Sequence, residues 1–169
     1  SFGGGIAGSG SLLVDGSLVL TGANSYTGTT QIEAGLLQLG LGGSLSSSTS
    51  LDLGNNGGTF DLNGQTQTVS GIAGDGSTNI LLGSGALTVD QTTNGSFGGQ
   101  ISGSGSLIKA GAGTLALTGS NTQANTVVNG GKLQLGASGS LAATSALAVN
   151  GGTFDLNGNN QTVGALSGT

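Results

Sequence analysis

The chain has 169 residues, 38 of them glycine, and only 5% are charged; seven acidic residues against two lysines leave a net charge of −5. Phosphate binding needs clustered Lys and Arg to displace counterions, so this balance excludes nucleic acid as a partner and disfavours anionic membrane surfaces. Cysteine, histidine, proline, methionine and tryptophan are all absent, which removes disulfides, thiolate and imidazole metal ligands, and every catalytic device built on His or Cys.

A positive mean hydropathy of +0.19 argues against a disordered chain, which needs high net charge and few apolar residues. Glycine without proline and without a triplet period excludes collagen. No apolar run approaches the ~20 residues of a helical membrane span, so no membrane insertion of this segment is expected. The chain opens at Ser1 without a signal-peptide pattern and is expected to be a mature product or an excerpt.

Taken in chain order, short alternating runs follow one another. They include Leu18-Val19-Leu20, Thr30-Gln31-Ile32, Leu37-Gln38-Leu39, Leu51-Asp52-Leu53, Thr59-Phe60-Asp61-Leu62, Leu87-Thr88-Val89 and Leu115-Ala116-Leu117. A period of two over so few residues predicts short strands with one face buried. The Asn-Gly, Gly-Gly and Gly-Ser steps between them suit turns that need positive φ. No stretch carries a sustained 3.6 period with caps, so no substantial helix is predicted.

The same runs recur further along. Phe2-Gly3-Gly4 returns as Phe97-Gly98-Gly99, Gly8 to Leu12 as Gly103 to Leu107, and Leu37 to Gly40 as Leu133 to Gly136. Gly57-Gly58-Thr59-Phe60-Asp61-Leu62-Asn63-Gly64 returns unchanged as Gly151 to Gly158. Nearly two copies of one long unit are therefore present, 2–95 and an incomplete 97–169, within a single domain over 1–169. Neither end resembles a cap, so the terminal coils are expected to be uncapped.

Two β architectures suit such spacing. An antiparallel sandwich wants larger, often aromatic core residues and tolerates proline at edges and turns. A parallel solenoid pairs nearly every strand residue with the coils above and below, which proline cannot join, and its corners want Gly, Asn and Ser. The composition selects the solenoid, and the hand of parallel crossovers makes it right-handed. At roughly 20 residues per coil the chain makes about eight coils, stacked to about 40 Å.

The segment Gly10 to Gly40 resembles the autotransporter-associated β-strand repeat, also called the passenger-associated transport repeat. Gly103 to Gly136 carries a second copy, in which Leu107-Ile108-Lys109-Ala110-Gly111-Ala112-Gly113-Thr114-Leu115 is closer to the family's opening pattern. The first copy has Val14 where the family has lysine. The second has Gln123 and Ala124 where the family has Tyr and Gly, as in Tyr26-Thr27-Gly28. The resemblance implies a passenger segment secreted by, or displayed on the outer membrane of, a Gram-negative bacterium. It also implies a C-terminal β-barrel translocator in the parent chain, and a repeat that assists secretion rather than catalysis.

Site by site, the residues favour structure over chemistry. Gly3 to Gly8 matches Gly-x-Gly-x-x-Gly, but no strand–helix unit surrounds it, as dinucleotide binding requires, so no cofactor is expected. Asp61 and Asp155 are the tempting acid pair for glycoside hydrolysis. As equivalents in successive long repeats they are expected roughly 20 Å apart, against the 5–10 Å that reaction needs, so no catalytic residue is assigned. No metal site is expected; Asp52 and Asp61, if adjacent coils bring them together, are the one candidate pair, for Ca²⁺. Phe60 and Phe154, with Phe2 and Phe97, are expected to form an internal aromatic stack. Asn63-Gly64 and Asn157-Gly158 are expected at corners, the Asn side chains stacking on Asn of neighbouring coils. Tyr26 is expected at a loop or coil edge, with a surface contact as the minor alternative. The expected function is a structural stalk, non-enzymatic, its partners the neighbouring coils of the same parent chain. The alternative is a self-associating adhesin or fibre subunit whose identical chains stack end to end through open sheet edges.

Overall fold

The computed structural model describes residues 1–169 and contains strands and turns but no helix. Every strand pair is parallel, and Cα partners in neighbouring turns are about twenty residues apart, as in Ser106↔Ala86 and Leu107↔Thr126. The chain is a β-solenoid of about eight turns. Each turn has three faces.

The first face begins with the N-terminal halves of two long strands, Leu12–Leu20 and Thr30–Leu39, and continues through Ser50–Asp52 and Gly71–Ala73. A single bridge, Gly74↔Phe97, carries it on to Gly95–Phe97, Thr114–Leu117, Lys132–Leu135 and Thr153–Asp155. The second face takes the C-terminal halves of the long strands, then Thr59–Asp61, Asn79–Leu81 and Gln100–Ser102. It resumes with Ser120–Asn121 and Ser140–Leu141. The third face is a six-stranded sheet of Thr66–Val69, Ala86–Asp90, Ser106–Ala110, Asn125–Val128, Ala146–Val149 and Ala165–Gly168.

The predicted alternation sets which side chains go in. One inward column of the third face is Val69, Val89, Lys109, Val128 and Val149, while Thr68, Thr88, Ile108, Val127 and Ala148 alternate outward. Inward apolar residues from all three faces merge into one core of 27 buried side chains, nearly all Leu, Ile and Val. Small aliphatics suffice because the solenoid is narrow, and stacking like on like satisfies the backbone ladder and the packing together.

The aromatic stack does not form. Phe60 sits between Leu37 and Ile80 on the second face, whereas Phe97 pairs with Leu117 and Phe154 with Leu133 on the first. Phe2 bridges to Leu20. Each ring therefore lies among aliphatics of the adjoining turns, because the residues stacked on it are set by the pairing register and not by residue type.

The long sequence repeat is not a whole number of turns. Leu37 and Phe60 pair on the second face, but their counterparts Leu133 and Phe154 pair on the first. Leu12 lies on the first face and its counterpart Leu107 on the third. Some 95 residues at about twenty per turn make roughly four and two-thirds turns, so the second copy is rotated by a third of a turn against the first.

Candidate functional site

The repeated octets build one local device twice. Asp61 Oδ1 accepts the Asn63 N–H at 2.7 Å, and Asp155 Oδ1 accepts that of Asn157 at 2.8 Å. Gln38 Nε2 donates to Asp61 Oδ2 at 2.7 Å, and its counterpart Gln134 donates to Asp155 Oδ2 at 2.9 Å. Asn63 and Asn157 take φ of 49° and 48°, followed by Gly64 and Gly158 at 77° and 80°. Two consecutive left-handed residues turn the chain sharply, and Asn and Gly are the residues that adopt this backbone at least cost.

Asp61 and Asp155 are equivalent within these octets, yet they stand on different faces of the solenoid. Distance and direction both keep them from acting on one bond. Asp155 also pairs with Lys132 Nζ at 3.1 Å. The Asn157 N–H first, then Gln134 and Lys132, hold its carboxyl below the usual aspartate range. Asp75 is likewise lowered, by the hydroxyl and then the N–H of Ser77.

Three further expectations are corrected by the coordinates. Asp52 and Asp61 belong to one turn and not to adjacent coils: Asp52 pairs with Gln31 and Ala73 on the first face, Asp61 with Gln38 and Leu81 on the second. Asp52 Oδ1 is engaged by the Gly54 N–H at 3.0 Å, and the corner between the two carboxylates prevents a shared ion. Asn63 and Asn157 point outward at their turns, and the Asn–Asn contact occurs elsewhere, between Asn150 Nδ2 and Asn129 Oδ1 at 3.1 Å. Tyr26 is buried, 1% exposed. Its hydroxyl meets Thr30 Oγ1 at 2.6 Å, Thr30 meets Thr49 Oγ1 at 3.0 Å, and Thr49 donates to Gly28 O at 2.6 Å. Burial raises the Tyr26 pKa and the Thr30 contact opposes it.

The buried polar side chains are mostly braces between turns. Asn24 Oδ1 accepts the Ile6 N–H while its Nδ2 donates to Gly22 O and Ser44 O; Asn121 repeats the pattern with Ile101, Gly119 and Ser140. Gln67 brackets the N–H and C=O of Leu45, and Gln161 brackets those of Leu141. Gln123 takes the place of Tyr26 in the second copy and donates to Thr126 Oγ1 at 2.9 Å, leaving its Oε1 unpartnered. On the first face, Gly95 leaves a gap in the column Leu51, Ile72, Gly95, Leu115, Leu133. The Gln91 amide fills it, with Nε2 2.5 Å from where a Gly95 Cβ would stand. Asn24 and Asn121 lie two residues past the shared Thr-Gly steps at Gly22 and Gly119, and Gln67 and Gln161 three past the octets, so the repeat itself marks them. Gln91 has no such counterpart and gives no sequence signal.

Lys109 is fully buried, and its Nζ is met by carbonyl oxygens of Gln91, Ala110, Gly111 and Gly130. Burial pulls its pKa below the usual lysine value, and the Asp90 carboxylate pulls it back. Outside, a shallow polar trough follows the first face past Asp52, Asn94, Ser96 and Gln134. At the last turn an apolar cavity of about 460 Å³ is lined by Leu147, Val149, Phe154, Leu156, Val163 and Leu166 among others. Nothing in the trough or the cavity brings together a nucleophile, base and anion-stabilising group.

The Passenger-associated-transport-repeat family model matches residues 15–39 and 107–135. These are the long-strand segment of the first copy and its counterpart, inside the bounds expected from the motif. The chain is similar to the adhesin BmaC autotransporter of Brucella suis biovar 1 (strain 1330), 38% identical over 143 residues, or 79% of this chain and 4% of that protein. It is also similar to the uncharacterized lipoprotein YdeK of Escherichia coli (strain K12), 36% identical over 108 residues, or 64% of this chain and 8% of that one. The chain thus spans less than a tenth of either relative's length. No solved structure matches it. The chain therefore carries two passenger-associated transport repeats on a parallel solenoid, and with an autotransporter adhesin among its relatives these indicate display outside the cell or on the outer-membrane surface.

Proposed function

We propose that this segment is a non-catalytic shaft that carries neighbouring parts of a longer passenger away from the outer membrane. The supporting observation is the all-parallel stacking: each turn is hydrogen-bonded to the next, over one continuous aliphatic core. Solenoid stability is close to a sum of turn terms and nearest-neighbour interfaces, so folding propagates from turn to turn. In a passenger leaving through a barrel at its C-terminal side, each added turn opposes backsliding. The parent translocator is the partner this reading requires, together with adjoining coils of the same chain.

The test is display of an N-terminal epitope on cells, with this segment between the epitope and an outer-membrane barrel. Protease-accessible epitope is expected to fall when both octets are scrambled, with barrel insertion unchanged. Equal display from the scrambled segment would reject the shaft reading.

A second reading, a self-associating adhesin whose identical chains stack end to end through open sheet edges, is favoured by the similarity to an autotransporter adhesin. Analytical ultracentrifugation of the isolated chain separates the two, because a monomer at high concentration counts against the fibre.

A further inference from the structure

Lys109 occupies an inward position otherwise filled by Val69, Val89, Val128 and Val149. No carboxylate lies within ion-pair distance of it, the one salt bridge being Lys132–Asp155. The ammonium is instead surrounded by carbonyl oxygens: Ala110 in close contact, Gly111 at 3.0 Å, Gln91 at 3.4 Å and Gly130 at 3.5 Å. Gln91 belongs to the turn before, and Gly130 to the turn after. The carbonyls of Gly111 and Gly130 accept no backbone N–H, so without the ammonium they lose their protein donor.

The first copy shows what happens without lysine. Val14 stands in its place and is followed by Asp15-Gly16-Ser17 where the second copy has Ala110-Gly111-Ala112-Gly113-Thr114. There the strand Leu12–Leu20 continues through the bend between the first and second faces, with a register shift between Val14 and Asp15 and Gly16 at φ 127°. In the second copy the chain breaks into two strands, Ser106–Ala110 and Thr114–Leu117, around Gly111 at φ 72°. The interrupted strand and the lysine occur together.

We propose that the carbonyls of Gln91, Ala110, Gly111 and Gly130 form a binding site for a primary ammonium group, filled from within by Lys109, and that its occupancy fixes the register of three successive turns. The site is complete only once the turn carrying Gly130 has been laid over Lys109, so it commits a growing stack to one alignment. A primary ammonium suits it because it directs three N–H donors at clustered oxygens and carries a charge that carbonyl dipoles stabilise.

The test uses Lys109→Ala, which removes the equivalent of n-propylamine from the interior. The variant is refolded with n-propylammonium, with n-butanol as an uncharged filler, or with tetramethylammonium at equal ionic strength. The expected result is a lowered urea midpoint and faster amide exchange over 110–113 and 130–132, both restored saturably by n-propylammonium alone. Restoration by butanol to the same extent, or none by any additive, would overturn the site. Lys109→Met is the second arm, since it keeps the volume and folds if the site is merely a hydrophobic slot. Wild-type stability and exchange in Lys109→Met would also overturn the proposal.

Discussion

Single residues in this chain matter through backbone conformation and buried hydrogen bonds. Asn63 and Asn157 hold left-handed φ of 49° and 48°, a region that β-branched side chains resist by about 1–2 kcal/mol. Asn63→Val is therefore expected to lower unfolding free energy by about that amount in urea titration, and Asn63→Gly to change it by roughly half a kcal/mol or less. Tyr26→Phe removes the hydroxyl that donates into the Thr30–Thr49–Gly28 chain, with an expected loss of about 1 kcal/mol. If Tyr26→Phe proves neutral in the same titration, that chain contributes nothing net.

Among elements, the closeness of neighbouring turns decides what each position tolerates. A Cβ on Gly105 would stand 1.9 Å from Gly85 O, and one on Gly85 would stand 2.0 Å from Gln65 O, whereas Gly10 has nothing within 4 Å. Gly105→Ala is expected to destabilise by about 1–3 kcal/mol through forced backbone displacement, while Gly10→Ala stays neutral or gains a few tenths of a kcal/mol from a stiffer unfolded chain. Equal effects in the two variants would show that the corners can spread. The strands themselves were legible in the sequence, because Leu18-Val19-Leu20 and Leu115-Ala116-Leu117 alternate in the way a half-buried strand must. The sequence was silent on what lies across a turn. Nothing around Gln91 announces that its amide fills the gap left by Gly95, and nothing around Tyr26 announces that the ring points inward. The Asn-Gly corners were readable from local backbone needs, but the pairing of Asn129 with Asn150, rather than of Asn63 with a neighbour, depends on the exact length of each turn.

At the scale of the whole molecule, the folded chain carries acidic groups that prefer to stay ionised. Asp75 and Asp155 both have lowered pKa values, held chiefly by the Ser77 hydroxyl and the Asn157 N–H respectively. A carboxyl lowered in the fold contributes stability above its unfolded pKa, and that contribution disappears as pH falls through the folded value. The urea midpoint is therefore expected to drop on acidification below about pH 4, and the combined Asp75→Asn and Asp155→Asn variant to flatten that slope. Asp75 is exposed and Asp155 half-buried, both within reach of solvent ions, so added salt weakens the effect. An unchanged slope in the variant would trace acid sensitivity to the other carboxylates.

The third-of-a-turn offset between the two copies bears on how a long passenger meets its surroundings. Any patch written into the repeat, such as the Asp61–Gln38 corner and its twin at Asp155–Gln134, is carried on to the next unit about 22 Å further along the axis and swung to a new heading. Three tandem units would post the same motif towards three compass points, like treads on a spiral stair. Every side of the shaft would then carry a copy.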